Sequence, residues 1–85
     1  MPYSLIWSEM AKKDLRTLEQ DVAKRISDKI VWANENNRLF LEKVESQNLY
    51  KYRVGDYRAF FEKLSSENAV IVHHIEHRKK AYKNL

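Results

Sequence analysis

Leu49-Tyr50-Lys51-Tyr52-Arg53-Val54-Gly55-Asp56-Tyr57-Arg58 interleaves bases with aromatic residues around the sole glycine of the chain. Glycine and aspartate between two alternating runs supply the positive φ and the local side-chain bonding of a two-residue hairpin turn. Alternation then sends Tyr50, Tyr52 and Val54 to one face of the first strand, and Leu49, Lys51 and Arg53 to the other. In the return strand Tyr57, Ala59 and Phe61 alternate with Arg58, Phe60 and Glu62. With a suitable register, Arg58 stands near Lys51 and Arg53. Three like charges so gathered repel one another, yet a solvated charged face is common in antiparallel sheets, so the hairpin alone does not define a site.

Working outward, Tyr3-Ser4-Leu5-Ile6-Trp7 reads as a first strand, short and aromatic, with Pro2 outside it. Ser8 is placed to cap a helix with Ala11, Leu15 and Leu18 on its apolar side, Glu9 near its positive end, and an end near Glu19-Gln20. Asp21 is read as the cap of a second helix, in which Val22, Ile26 and Ile30 recur every four residues. Asp21–Arg25 and Lys24–Asp28 fall at i,i+4 and read as local helix pairs. Asn34-Glu35-Asn36-Asn37 ends this helix, because asparagine competes for backbone bonds and tolerates left-handed geometry. A connector of about ten residues follows. Its Leu39, Phe40, Leu41 and Val44 are too apolar for a free linker and are expected to fold over the core. After the hairpin, Ser65-Ser66-Glu67-Asn68 is a turn, and Ala69 to Glu76 a last strand whose apolar start predicts a central position. Arg78 to Leu85 forms a basic tail. The order β-α-α-β-β-β predicts an α+β fold with two N-terminal helices on one face of a small antiparallel sheet.

The 85 residues, 44% of them hydrophobic, fit one small domain spanning 1–85. No apolar run approaches the roughly 20 residues of a membrane span, and no signal-peptide pattern opens the chain, so a cytoplasmic protein without membrane contact is expected. The absence of cysteine removes disulfides, thiolate nucleophiles and cysteine metal sites. Residues 1–50 hold eight Lys/Arg and eight Asp/Glu; residues 51–85 hold eight Lys/Arg against four acids, so the whole excess of +4 lies in the second segment. A polyanion is the simplest partner for that concentration, and nucleic acid the commonest.

With helices on one face of the sheet, the other face is available to a ligand, and Lys51, Arg53 and Arg58 are the candidates to line it. Ammonium and guanidinium groups bind phosphate and stabilise charge that develops on it. They are poor bases at neutral pH, because their reference pKa values are about 10.4 and above 12. Metal-free RNA cleavage also requires proton carriers, and His73-His74-Ile75-Glu76-His77 offers some. A strand directs His73 and His74 to opposite faces and sets His73 roughly 13 Å from His77, at about 3.3 Å per residue, so no metal site is expected. His73 and His74 read as packing residues of a half-buried strand. His77 ends the strand beside Arg78-Lys79-Lys80-Ala81-Tyr82-Lys83, a position suited to an acid, a base or a phosphate ligand. Tyr82 is suited to stacking on a base, donating a hydrogen bond or anchoring the tail.

Ile6-Trp7-Ser8 followed by the helical pair, the Leu49–Arg58 hairpin, and His77-Arg78-Lys79-Lys80-Ala81-Tyr82 together resemble the RelE/ParE toxin superfamily over nearly the whole chain. The resemblance implies a RelE-like toxin of a type II toxin–antitoxin system. It further implies a metal-independent endoribonuclease without cofactor, which cuts mRNA in the ribosomal A site by 2′-hydroxyl attack and so inhibits translation. Carried onto this sequence, Lys51 and Arg53 resemble the paired bases before the hairpin turn, and Arg58 the arginine after it. His77 and Arg78 resemble the His-Arg pair of relatives, and Tyr82 the C-terminal catalytic or stacking tyrosine. In a YoeB-like branch a connector glutamate serves as base, which points to Glu42 or Glu45. The implied partners are the ribosome, mRNA and a cognate RelB-like antitoxin, acidic and partly disordered, in a toxin–antitoxin hetero-oligomer. Two other functions fit the same fold: a ParE-like inhibitor of DNA gyrase and a non-catalytic RNA-binding module.

Overall fold

The computed structural model describes residues 2–45 and 47–78. Its elements are β1 (Ser4–Trp7), α1 (Glu9–Arg16), α2 (Gln20–Glu35), β2 (Glu42–Lys43), β3 (Tyr50–Val54), β4 (Tyr57–Leu64), a 3₁₀ turn (Ser65–Glu67) and β5 (Ala69–His77). The two helices pack on one face of a five-stranded sheet of order β1-β5-β4-β3-β2. The α+β class and the helical layer agree with the sequence reading. The sheet, however, is mixed: β1 runs parallel to β5, with Ser4 opposite Ala69 and Trp7 opposite Val72. The helical crossover carries the chain away from β1, and the β2-β3-β4 meander returns it so that β5 arrives in the same direction. The short strand β2 is a second addition. It lies in the expected connector and pairs Glu42 with Lys51 and Lys43 with Tyr50.

Ser8 joins the layers. Its Oγ accepts from the Ala11 backbone N–H at 3.0 Å, capping α1, and donates to the His73 carbonyl at 2.6 Å. A cap of this kind contributes about 1 kcal/mol. Helix α1 ends sooner than expected, at Arg16, because the Thr17 hydroxyl and N–H both turn back onto the Asp14 carbonyl. Glu19, not Asp21, occupies the N-cap of α2, and Asp21 sits in its first turn. Beyond Trp7, where β1 stops covering β5, the Asp14 carboxylate accepts from the Ile75 N–H at 2.9 Å and closes the ladder edge.

The core lies between the sheet and the helices, where Ile26, Ile30 and Ala33 of α2 and Ala11 of α1 meet Val54, Ala59, Phe61, Val70 and Val72. Each large member stabilises the fold by about 1.5–3 kcal/mol through burial. Strand alternation therefore directs Lys51, Arg53, Arg58, Phe60 and Glu62 to the face turned away from the helices. As predicted for its apolar start, β5 is interior to the sheet, between β1 and β4. No helix among the described residues is long and apolar enough to cross a membrane.

Candidate active site

The hairpin closes as its turn chemistry requires. Gly55 has φ +58° and Val54 pairs with Tyr57, so only Gly55 and Asp56 connect the strands. That register sets Arg53 directly across from Arg58, with Lys51 two positions along the same face. Like charges directly opposite one another destabilise a strand pair. The Gly55 carbonyl accepts from Arg53 Nε at 3.0 Å, which fixes the guanidinium and leaves its terminal nitrogens for a ligand. Among the described residues no ion pair holds Lys51 or Arg53.

Lys51, Arg53 and Arg58 line one hollow of ≈ 250 Å³ together with Phe40, Glu42 and Tyr52. Strand β2 brings Glu42 opposite Lys51, so the hollow holds a carboxylate as well as three cations. Tyr52, which packs against the core, borders the hollow from the other face of β3, and burial raises its phenol above the usual pKa of 10.0. The arrangement offers phosphate ligands and a proton acceptor within one concavity. Between the two connector glutamates, only Glu42 lines it. Glu42 follows the buried Leu39 and part-buried Leu41, which tie its segment to the core.

The remaining predicted site residues are distributed differently. His77 pairs with Tyr57 on the helical face, meets its ring edge-on at 4.9 Å between centroids, and lines a separate hollow with Val22, Arg25 and Ile26. It is not brought together with the three cations. Arg78 lies exposed beside the turn, where its backbone N–H donates to the Asp56 carbonyl at 2.7 Å. Tyr82 lies outside the described residues, as do Lys79, Lys80 and the rest of the basic tail.

His73 and His74 depart from strict alternation. A register shift sets Phe60 against His74 and the next residue, Phe61, against Val72, leaving His73 in a β-bulge. Both imidazoles consequently reach the same neighbourhood, with their Nδ1 atoms 2.7 Å apart. His73 Nε2 lies 3.5 Å from Glu62, His74 Nε2 lies 3.3 Å from Glu76, and the Phe60 ring stacks on His74 at 4.6 Å. Burial lowers the His74 pKa, with Glu76 opposing the shift. A neutral His74 with its proton on Nε2 donates to Glu76 and accepts from His73 through Nδ1; protonating it would set two N–H groups against each other. Among the described residues no group of His, Asp and Glu has the geometry to hold a metal.

The architecture is that of known RelE toxins. A RelB–RelE antitoxin–toxin complex from Methanococcus jannaschii matches with 26% identity and a TM-score of 0.70, over 94% of this chain and 98% of that one. The toxin–antitoxin complex RelBE2 from Mycobacterium tuberculosis matches at 17% identity and a TM-score of 0.75, over 92% of this chain and 100% of that one. The isolated RelE toxin from E. coli matches at 23% identity and a TM-score of 0.68, covering 96% and 97%. Among curated protein sequences none matches the chain. The model of the ParE toxin of type II toxin–antitoxin systems, parDE, matches residues 5–82. The chain belongs to this family, a branch of the RelE/ParE superfamily, and is a toxin of the type II class.

Proposed function

We propose that this toxin is a ribosome-dependent endoribonuclease that cuts mRNA in the A site, and the observation that carries the reading is the shared hollow of Lys51, Arg53, Arg58 and Glu42. Cleavage begins when Glu42 accepts the proton of a 2′-hydroxyl. The 2′-oxygen then bonds to phosphorus while the bond from phosphorus to the 5′-oxygen breaks, leaving a 2′,3′-cyclic phosphate and a 5′-hydroxyl. Lys51, Arg53 and Arg58 stabilise the charge on the phosphate oxygens, the work for which guanidinium and ammonium groups are suited. Arg78, exposed beside the hairpin turn, adds a further cation for the nucleic acid backbone, and Tyr82 donates the proton taken up by the 5′-oxygen. His77, on the other face, supports Tyr57 and takes no proton in this scheme. An acidic, partly disordered antitoxin neutralises the toxin by covering the cationic hollow; that the archaeal and mycobacterial matches are toxin–antitoxin complexes supports an antitoxin partner.

Primer extension on transcripts after induction tests the proposal. Wild-type toxin should yield cuts at fixed codon positions, and Glu42→Gln and Arg58→Ala should abolish them. Undiminished cutting by both variants would remove these residues from the chemistry. The match to the ParE model favours a second reading, inhibition of DNA gyrase without cleavage. Supercoiling by purified gyrase in the presence of the toxin separates the two.

A further inference from the structure

The hollow has an aromatic lip. Phe40 lines it and is 70% exposed, the highest value of any large apolar side chain among the described residues. An aromatic ring left in water at that level stands out beside its two apolar neighbours, which fold inward. Leu39 is buried and Leu41 packs against the core, so two inward neighbours turn Phe40 out instead of letting it fold over the core as its hydrophobicity predicted.

The backbone leading to it is held from both sides. Helix α2 ends in a left-handed Asn37, with the Arg38 N–H donating to the Ala33 carbonyl at 2.6 Å and the Asn37 N–H to the Asn34 carbonyl at 3.3 Å. This is the paired bonding of a Schellman cap. The Phe40 N–H then donates to the Arg38 carbonyl at 3.0 Å, and two residues later the chain enters β2. The ring is thus presented by a fastened segment, where little conformational freedom remains to be lost on binding.

We infer that Phe40 is the base-stacking platform of this site: it seats a nucleobase adjoining the phosphate held by Lys51, Arg53 and Arg58. The inference rests on the proposed RNA chemistry of the hollow. An exposed ring beside clustered cations suits single-stranded RNA, whose phosphates take the charges while an unstacked base takes the ring. The three cations also argue against an uncharged apolar partner as the occupant.

The test uses ribosomes programmed with mRNAs that carry 2-aminopurine at one A-site position and 2′-deoxy sugars through that codon, so that no cleavage intervenes. For at least one labelled position, wild-type toxin should quench the fluorescence. Phe40→Leu, which keeps an apolar side chain and removes the ring, should leave the signal unquenched and bind about 5- to 100-fold more weakly, the loss expected of one base–aromatic stack. Phe40→Trp should restore quenching. Equal quenching by wild type and Phe40→Leu, or none by wild type at any position, overturns the inference. So does a Phe40→Leu variant whose only loss is affinity for the antitoxin, since Phe40 would then be a protein-docking residue. A parallel all-ribose mRNA reads cleavage separately: quenching without cutting would leave the stacking role standing and sink the nuclease proposal, while cutting with identical quenching in both proteins would do the reverse.

Discussion

At the bulged end of the sheet face turned away from the helices, ionisable groups meet compensating partners: Glu62 with His73, His73 with His74, His74 with Glu76, and Phe60 stacked over His74. At the hairpin end the register sets arginine across from arginine, with a lysine two positions away. The same strands β4 and β5 run through both ends of the comparison, so strand type does not explain the difference. Mutual satisfaction is what a stable surface requires. A gathering of like charge costs stability unless groups of opposite sign arrive; besides Glu42 opposite Lys51 and Glu76 opposite Arg58, the phosphate of the proposed RNA substrate would be such a group.

The comparison breaks most readily at Glu42. Glu42→Gln should slow cleavage on programmed ribosomes by about 10²–10⁴-fold, the usual contribution of a general base, with the thermal melt unchanged. A loss of less than a few-fold in single-turnover rate would leave the proton acceptor elsewhere. Arg58→Ala comes next, with a loss of about 10²–10³ in rate, as when one preorganised stabiliser of transition-state charge is removed. If the rate held while the melt collapsed, Arg58 would belong with the structural end of the face.

The bulged end answers to pH instead. Burial depresses the folded-state pKa of His74, so the unfolded chain binds more protons over the range below its ordinary value of 6.5. Stability present above that value is therefore lost as pH falls toward the folded pKa. Glu62, Glu76, Asp14 and His73 surround the group. Thermal melts between pH 7.5 and 5.5 should show the wild-type midpoint falling, and His74→Phe should fall less. An identical slope in the two proteins would remove His74 as the source. The smallest effect is the coupling of Arg53 with Arg58: a double-mutant cycle on chemical denaturation should give an unfavourable interaction of about 0.2–1 kcal/mol, whatever other contacts each side chain makes. A favourable coupling would contradict the charge asymmetry.

The hairpin was legible because Gly55 and Asp56 encode their turn locally, and the cap at Ser8 for the same reason. Strand β2 was not, since Glu42-Lys43 has no strand propensity and pairs only because β3 lies beside it. Phe40 misled because hydrophobicity specifies a preference for burial, while the inward anchors Leu39 and Leu41 determine which side chain is left out. The His73 bulge is a mismatch between β4 and β5, so nothing within β5 alone announces it. At the site, the three cations could be grouped from alternation and register. Glu42 could not be preferred to Glu45 without the path of the connector.

The parallel pairing of β1 with β5 has a consequence for synthesis. Contacts such as that from Ser8 to His73 span 65 residues, and non-local closure of this kind is slow. While the chain grows, β1 waits without its sheet partner until β5 has emerged. A product truncated before Ala69 would also leave β4 without a neighbour on that side, and the strand that aligns Arg58 would lose half its ladder. The topology thus couples the alignment of Arg58 to the late arrival of β5.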